Sequence, residues 1–306
     1  MFLILLLAAA AARGQAPPEA PVFRAGAREV RVDVQVVEDG RLIGGLAQED
    51  FLIFDAGRPQ RATHFGRESE PLALLLLLDV SGSMQRSLKA MAARAREALG
   101  YLRAGDQVGI MVFRRDARVR EDFTQDFARA AAALDAAVKE RQPGGGTAIN
   151  HSVAAAAEYI SVRPEAARGR RAILIVTDGG GLNYRLTDED VLRKFHDASV
   201  VLNAIVPGNA RPPAPAAPGR YANPDFTPSD IFRLARETGG EALKSDRADT
   251  PFLRMLEGIR LRYSLHYLAP EAEPGTFREI RVELSPEARR RHPRAEVRAR
   301  KGYFAP

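Results

Sequence analysis

The chain has 306 residues, of which 45% are hydrophobic, so it is long enough to bury one large core or a large and a small one. Its formal net charge of +6 is spread along the sequence without a nucleic-acid-binding motif, which gives no support for a nucleic-acid partner. The absence of cysteine excludes thiol catalysis, cysteine-ligated zinc and disulfide bonds.

The chain begins with a short apolar stretch. Residues 2–12 are apolar, and Arg13 with small and polar residues follows them. This length suits the core of a signal peptide, whereas a membrane-spanning helix needs about 20 residues. We therefore expect residues 1–16 to be a signal peptide and the remainder to be exported to the periplasm, the cell surface or the medium, without a transmembrane span after signal removal.

Residues 17–70 have the pattern of a small β region. Four valines alternate with polar residues between positions 30 and 36, which is the period of a half-buried strand. Asp39-Gly40 is typical of a hairpin turn, and Phe51, Ile53 and Phe65 indicate further short strands. A second turn is predicted at residues 57–59.

The pattern changes to alternating strands and helices at about residue 71. Residues 72–78 form an unbroken apolar run, as expected for a central parallel strand that is covered on both faces. Further strands are predicted at residues 106–113, 172–177 and 200–206, and helices at residues 87–102, 127–139, 152–161, 188–195, 231–237 and 251–257. The alternation predicts an α/β domain with a doubly wound, mostly parallel sheet over residues 71–258.

Residues 259–306 return to the strand period. Apolar and polar residues alternate at positions 261–267 and 280–284. Neither flank is long enough to bury a good core alone. We therefore predict that the two flanks pair into a small β sandwich and that the α/β domain is inserted between them. Within that domain, residues 207–228 are rich in proline and alanine, which predicts a loop bordering the same sheet edge as the strand ends.

Oxygen-bearing side chains stand where strands of the α/β domain end. Asp79, Ser81 and Ser83 follow the first apolar run, Thr147 follows three glycines, and Asp178 follows the strand at residues 172–177. The carboxyl ends of parallel strands lie at one edge of a sheet, so these segments are expected to meet. Hard oxygen donors without histidine or cysteine indicate a divalent cation such as Mg²⁺.

These five residues resemble the metal-ion-dependent adhesion site of von Willebrand factor type A domains. That motif is Asp-x-Ser-x-Ser, then a separate Thr and a separate Asp, and the resemblance covers residues 71–258. It implies a Rossmann-like fold in which Ser81 and Ser83 ligate Mg²⁺ or Mn²⁺ directly. It also implies that Thr147 binds directly or through water, that Asp79 and Asp178 act largely through bound waters, and that a carboxylate of a protein partner fills the open position.

The two flanks resemble one subgroup of proteins that contain this domain. Residues 46–51, 263–267 and 300–303 look like exported bacterial von Willebrand factor A-related proteins of the Acidobacteria type. This implies a non-enzymatic binding or adhesion protein that engages an Asp or Glu of a protein partner, with an envelope component as one candidate. The alternatives are a metal-assisted hydrolase that uses the same cation and a partner subunit of an ATPase assembly.

Asp79, Ser81 and Ser83 also have interpretations that need no metal. Asp79 and the two serines could cap a helix. Asp79 could be a phosphoryl-accepting nucleophile, but Ser81 stands where a second carboxylate is usual, and neither serine lies in a Gly-x-Ser-x-Gly elbow.

Other polar residues have simple explanations as well. The histidines at positions 64, 151, 196, 266 and 292 show no metal-ligand spacing, so each is expected to be a surface or packing residue. The basic run at residues 289–294 favours a solvated loop over a contact with anionic lipid or polysaccharide.

Overall fold

The computed structural model describes residues 29–67, 69–139, 146–167, 169–214, 223, 225–245 and 251–305. The expected signal peptide at residues 1–16 lies outside these ranges, as do Gly144 and Gly145. Within the described ranges, no helix combines the length and the apolar character that crossing a bilayer requires.

The described residues form short and medium-length elements throughout. The strands are β1 (Glu29–Glu38), β2 (Arg41–Leu42), β3 (Phe51–Asp55), β4 (Arg58–Gln60), β5 (His64–Gly66), β6 (Leu72–Asp79), β7 (Gln107–Phe113), β8 (Ala117–Thr124), β9 (Arg170–Val176), β10 (Leu182–Tyr184), β11 (Val201–Pro207), β12 (Phe226–Pro228), β13 (Ala242–Ser245), β14 (Tyr263–Leu268), β15 (Phe277–Leu284), β16 (Glu296–Arg298) and β17 (Gly302–Phe304). The helices are α1 (Gln85–Leu99), α2 (Phe127–Lys139), α3 (Ile149–Ser161), α4 (Pro164–Ala167), α5 (Asp188–Ala198), α6 (Ile231–Glu237), α7 (Pro251–Arg260) and α8 (Pro286–Arg291). Short 3-10 turns lie at Gln48–Asp50 and Gly82–Met84.

A six-stranded sheet forms the centre of the α/β domain. Its order is β13-β11-β9-β6-β7-β8, and every pairing is parallel except that of β7 with β8. Every residue of β6 is buried, because helices cover both faces of the sheet. Leu74 and Leu76 pack into a core with α1, α2 and α7, whereas Leu75 and Leu77 pack into a core with α3, α5 and α6. The predicted doubly wound fold is confirmed.

The two flanks build a β sandwich together. One sheet has the order β16-β1-β14-β5, with β2 beside β1, and the other has the order β17-β15-β3-β4. Antiparallel β1 and β14 pair from Glu29 opposite Leu268 to Val34 opposite Tyr263, and β3 pairs with β15. The alternating apolar residues of both flanks share one core. The predicted insertion of the α/β domain into a sandwich is therefore confirmed.

A buried carboxylate links the two sheets of the sandwich. Asp55 on β3 is fully buried and accepts hydrogen bonds of 2.8 Å from the hydroxyls of Tyr267 on β14 and Tyr303 on β17. The guanidinium of Arg278 on β15 donates a third bond at 2.6 Å. Because both oxygens are occupied, this charge is satisfied inside the core.

Arginine side chains fasten the sandwich to the α/β domain. Arg170, at the start of β9, is 2% exposed. Its Nη1 donates to the carbonyl oxygens of Ile259 and Arg260, in the last turn of α7, at 3.2 and 2.7 Å. It also donates to the carbonyl oxygen of Arg262, just after this helix, at 3.0 Å. Arg31 on β1 donates to the carbonyl of Gly169 at 3.0 Å. Cationic side chains thus satisfy helix-end carbonyls that would otherwise be buried without donors.

Three local predictions hold only in part. Residues 58–60 form β4, because the turn uses Ala56 and Gly57, with φ of 46° and 78°. The basic run at residues 289–294 starts within α8, which Ser285 caps, and Arg290 and Arg294 form ion pairs with Glu287 and Asp39. The proline-rich segment at residues 207–228 begins in β11 and ends in β12, although part of it lies outside the described residues.

Candidate metal centre

Asp79 stands at the carboxyl end of the most deeply buried strand. Its side chain is 0% exposed, and both of its oxygens accept hydrogen bonds. The backbone N–H of Ser81 donates to Oδ1 at 2.9 Å, and the hydroxyl of Thr177 donates to Oδ2 at 2.7 Å. The first bond bends the chain sharply after β6, and the second ties β6 to the end of β9. The carboxylate is therefore held in one orientation.

The surroundings of Asp79 disfavour its charged form. Burial raises its pKa, the hydrogen bonds from Ser81 and Thr177 oppose this rise, and the nearby carboxylate of Asp178 adds to it. Two carboxylates thus approach each other in a poorly solvated place. A divalent cation at this edge would relieve both the repulsion and the desolvation.

The two serine hydroxyls point toward each other. Their Oγ atoms lie 3.1 Å apart, although the residues are separated along the chain by Gly82. Ser81 occupies the N-cap position of the turn Gly82–Met84, but its hydroxyl makes no capping hydrogen bond with the described backbone. Ser81 is buried and Ser83 is exposed, so the pair reaches from the interior to solvent. The helix-cap interpretation of Ser81 is therefore wrong.

Asp178 follows β9 and borders the same edge. Its Oδ1 accepts a 2.9 Å hydrogen bond from the N–H of Gly180, which closes a tight loop after the strand. Gly179 in this loop has a φ of 78°, a conformation that favours glycine. The side chain is half-buried and remains close enough to Asp79 to raise the pKa of that carboxyl.

Thr147 lies between the ends of two other segments at this edge. The N–H of the next residue, Ala148, donates a 2.7 Å hydrogen bond to the carbonyl of Arg114, directly after β7. On the other side, a methyl group at Gly181 would lie 2.8 Å from the carbonyl oxygen of Thr147. These contacts hold the half-buried Thr147 between β7 and the loop after β9.

An open cleft of about 710 Å³ extends from this edge, with Thr147 and Gly180 in its lining. Its outer side is apolar, because Leu182 and Tyr184 on β10 and Phe226 on β12 line it while being 61%, 50% and 45% exposed. The rings of Tyr184 and Phe226 contact each other with centroids 5.5 Å apart. The cleft thus joins the segment of Thr147 and the loop after Asp178 to an exposed apolar rim.

Buried amides support the strand pair β10 and β12. The side chain of Asn183 accepts a 2.8 Å bond from the N–H of Asn150 and donates to the carbonyl of Thr227 at 3.1 Å. Asn150 in turn donates to Asp188 at 2.9 Å. This network fixes the apolar rim relative to α3 and α5.

The five candidate ligands fit a hard divalent cation. Direct hydrogen bonds bring together Asp79, Ser81 and Ser83, Asp178 lies beside Asp79, and Thr147 belongs to a loop held at the same edge. Their atoms are hydroxyl and carboxylate oxygens, the donors that Mg²⁺ and Mn²⁺ prefer. The sequence reasoning missed Thr177, whose position directly before Asp178 at a strand end was the available indication.

Comparison with known proteins supports the fold of this domain. Residues 74–180, a segment that includes all five candidate ligands, match the family model of the von Willebrand factor type A domain. A comparison with curated proteins found no match.

Several solved structures are similar at low sequence identity. An aerotolerance-related membrane protein from Bacteroides fragilis is 18% identical with a TM-score of 0.46, over 61% of this chain and 98% of that one. Proximal thread matrix protein 1 from the mussel byssus, with a zinc-occupied MIDAS motif, is 15% identical with a TM-score of 0.49, over 68% and 50%. A von Willebrand factor type A protein from Catenulispora acidiphila is 13% identical with a TM-score of 0.44, over 86% and 71%. The family match and the order of the strands in the central sheet both make this part of the chain similar to a von Willebrand factor type A domain.

Proposed function

We propose that this protein is an exported, metal-dependent binding protein. Ser81, Ser83 and Thr147 would hold Mg²⁺ or Mn²⁺, with Asp79 and Asp178 acting largely through bound waters. The observation that supports this most is the hydroxyl pair of Ser81 and Ser83, 3.1 Å apart and open to solvent on one side. Neutral oxygen ligands leave the charge of a cation poorly neutralised, which favours a carboxylate from a protein partner.

A binding role agrees better with the geometry than a hydrolytic role. Both oxygens of Asp79 already accept hydrogen bonds, and the side chain is enclosed. It is therefore not placed to take a proton from an attacking water. The cation would supply charge for anchoring, and the surrounding residues would position it.

The partner surface would extend over the apolar rim. Leu182, Tyr184 and Phe226 are exposed beside the candidate metal centre, and aromatic side chains are frequent anchors of protein interfaces. The proline-rich segment leads into β12, so we propose that it contributes to specificity. Deleting residues 211–219 should weaken partner binding, and unchanged affinity would remove this part of the proposal.

Calorimetric titration with Mg²⁺ and Mn²⁺ tests the metal centre. Ser81→Ala and Ser83→Ala should each weaken binding by at least about tenfold, because each removes an oxygen ligand. Ser87→Ala is the matched control, since the described contacts of that hydroxyl are local, with Met84 on the preceding turn. Binding that is equal in all four proteins would show that the serines are not ligands.

Engagement of a carboxylate can be measured on the Mn²⁺-loaded protein. A glutamate-containing peptide should displace a metal-bound water and lower the water proton relaxation enhancement by Mn²⁺. The same peptide with glutamine is the control, because it lacks the charge. An equal effect of both peptides, or of neither, would contradict anchoring through an acidic group.

A further inference from the structure

A second group of metal-ligating side chains lies in the sandwich, away from the first. His64, Glu70 and His266 each offer one ligand atom, and these three atoms all lie within 4.8 Å of one another. Nε2 of His64 is 3.6 Å from Oε1 of Glu70, and the two imidazole rings meet edge to face with centroids 4.9 Å apart. The spacing of the histidines in the sequence did not predict this group, because His64 and His266 are far apart along the chain.

Strand pairing brings the group together. β5 and β14 are antiparallel neighbours, and their register places His64 directly opposite His266. Gly66, at the end of β5, leaves room for the third member. A methyl group at Gly66 would lie 1.8 Å from Oε1 of Glu70. The carboxylate can therefore fold back over the strand toward the histidines only because residue 66 has no side chain.

Neighbouring side chains orient the carboxylate of Glu70. Its Oε2 accepts hydrogen bonds of 2.8 Å from Nη2 of Arg31 and from the hydroxyl of Ser264. Arg31 is itself held by Asp33, at 3.1 Å, and by a backbone carbonyl of the α/β domain. One oxygen is thus occupied, which directs the other, Oε1, toward His64. Supporting hydrogen bonds of this kind are a regular feature of metal sites.

His266 has one ring nitrogen available for a ligand. Both ring nitrogens are buried, and Nε2 has no hydrogen-bond partner among the described residues. The carboxylate of Glu29 lies 3.0 Å from Nδ1 as an ion-pairing neighbour. A carboxylate beside Nδ1 leaves Nε2 to face a metal, an arrangement common at zinc sites. A buried imidazole nitrogen without a partner, as Nε2 is here, is costly unless something binds it.

We propose that His64, Glu70 and His266 bind Zn²⁺. In a tetrahedral zinc site the ligand atoms lie about 3.4 Å apart. The ligand atoms of His64, Glu70 and His266 would therefore need to approach one another by about 1 Å, which side-chain rotation can supply. Two imidazoles and one carboxylate favour zinc over the Mg²⁺ or Mn²⁺ of the hydroxyl site. The side chain of His64 is 58% exposed, which gives the cation a path of entry.

The position of this site suggests its purpose. Glu70 lies where the chain leaves the sandwich for β6, and His266 lies on β14, where the chain has returned from α7. A cation bound by both would join the two crossings between the sandwich and the inserted domain. Zinc would therefore restrain the angle between them.

The test uses the full chain carrying Ser81→Ala, so that the hydroxyl site is weakened and a transition metal reports on the histidine site. Co²⁺ is the probe, because tetrahedral Co²⁺ absorbs visible light and Zn²⁺ displaces it. We expect a visible Co²⁺ band that Zn²⁺ removes. Adding His64→Ala or Gly66→Ala should weaken Co²⁺ binding by at least about tenfold, the first by removing a ligand and the second by displacing Glu70.

His292→Ala is the matched control, because that histidine also faces a glutamate in the sandwich, at 3.1 Å from Glu38. Its Co²⁺ affinity should be unchanged. The proposal is overturned if the Ser81→Ala protein shows no tetrahedral band, or if His64→Ala leaves the band unaltered. Mg²⁺ titration of His64→Ala with Ser81 intact separates the two sites, since it should bind Mg²⁺ as the parent does.

Discussion

The hydroxyl of Thr177 donates a 2.7 Å hydrogen bond to Oδ2 of Asp79 and thereby joins the ends of two adjacent parallel strands. The N–H of Gly179 donates in turn to the Thr177 hydroxyl at 3.2 Å. A residue that carries no expected metal contact thus sets the orientation of the buried carboxylate and the start of the loop with Asp178. The position of Asp79 in the candidate metal centre therefore depends on a residue outside the set of candidate ligands.

Replacing Thr177 with valine should weaken cation binding without removing a ligand. The shape is kept, but Oδ2 of Asp79 loses its donor inside the protein. We expect about 10- to 100-fold weaker Mg²⁺ binding and a free energy of unfolding lower by about 1–3 kcal/mol. Calorimetry and urea denaturation measure the two effects. Thr177→Ser, which restores the hydroxyl, should behave like the parent, and equal affinity of the valine variant would contradict the role.

The buried carboxylate of Asp55 should be a major source of sandwich stability. Asp55→Ala leaves two tyrosine hydroxyls and the guanidinium of Arg278 without their acceptor, and we expect a loss of about 3–5 kcal/mol. Tyr267→Phe removes one donor and should cost about 1–2 kcal/mol. Urea denaturation is the measurement. The control is Asp135→Ala, which breaks an exposed ion pair with Arg96 and should change stability by less than about 1 kcal/mol.

Acid should destabilise the protein through His196. Burial, with a contribution from the charge of Arg300, lowers the pKa of His196 to about 4 from 6.5. The unfolded chain takes up a proton below pH 6.5 while the folded chain does not, so stability present above this pH is lost progressively down to about pH 4. The loss is about 3 kcal/mol at most.

The variant His196→Phe checks this pH dependence. Phenylalanine keeps the ring contacts with Phe277 and Phe304 but has no group that titrates. Its free energy of unfolding should fall less than that of the parent between pH 7 and pH 4. The same slope in both proteins would assign the acid sensitivity to other groups.

Cleavage within the α/β domain should leave the sandwich assembled. β1 and β3 of the N-terminal flank pair with β14 and β15 of the C-terminal flank, so the two pieces are held by both sheets. After limited proteolysis at residues 140–145, we expect the pieces to elute together in size-exclusion chromatography and to separate only in denaturant. Clean dissociation in native buffer would contradict the paired flanks. The predicted boundaries at residues 70 and 258 remain to be measured by the same method.

The periodicity of the sequence was sufficient to predict the strands that are buried on one face or on both faces. The apolar run of β6 and the alternation in β1 and β14 predicted both the sheet and the sandwich. β8 was missed, because half of its residues are charged, Glu121 interrupts the alternation of apolar residues, and the strand is only half-buried at the edge of the sheet. α8 was missed because a run of arginines concealed a short helix that Ser285 and Pro286 begin.

Side chains that meet through tertiary structure were harder to predict. Asp79, Ser81 and Ser83 are neighbours in the chain, and their shared motif predicts that they lie at one edge of the sheet. The meeting of His64 with His266 depends on the register of two strands separated by the whole inserted domain. Likewise, nothing in the sequence around Arg170 indicated that its side chain would be buried and would donate to the carbonyl oxygens at the end of α7. Whether the five oxygen-bearing residues bind a cation remains a prediction.

The course of β6 has a mechanical consequence. This strand runs from the junction with the sandwich at Leu72 to Asp79 beneath the candidate metal centre, and it is paired along its length with β7 and β9. Tension between a partner held at the cation and a surface that holds the sandwich would run along the strand axis. Its two ladders of hydrogen bonds would then be loaded in shear, so that they resist together instead of opening one by one. The insertion thus places the strongest direction of the sheet between the candidate metal centre and the sandwich.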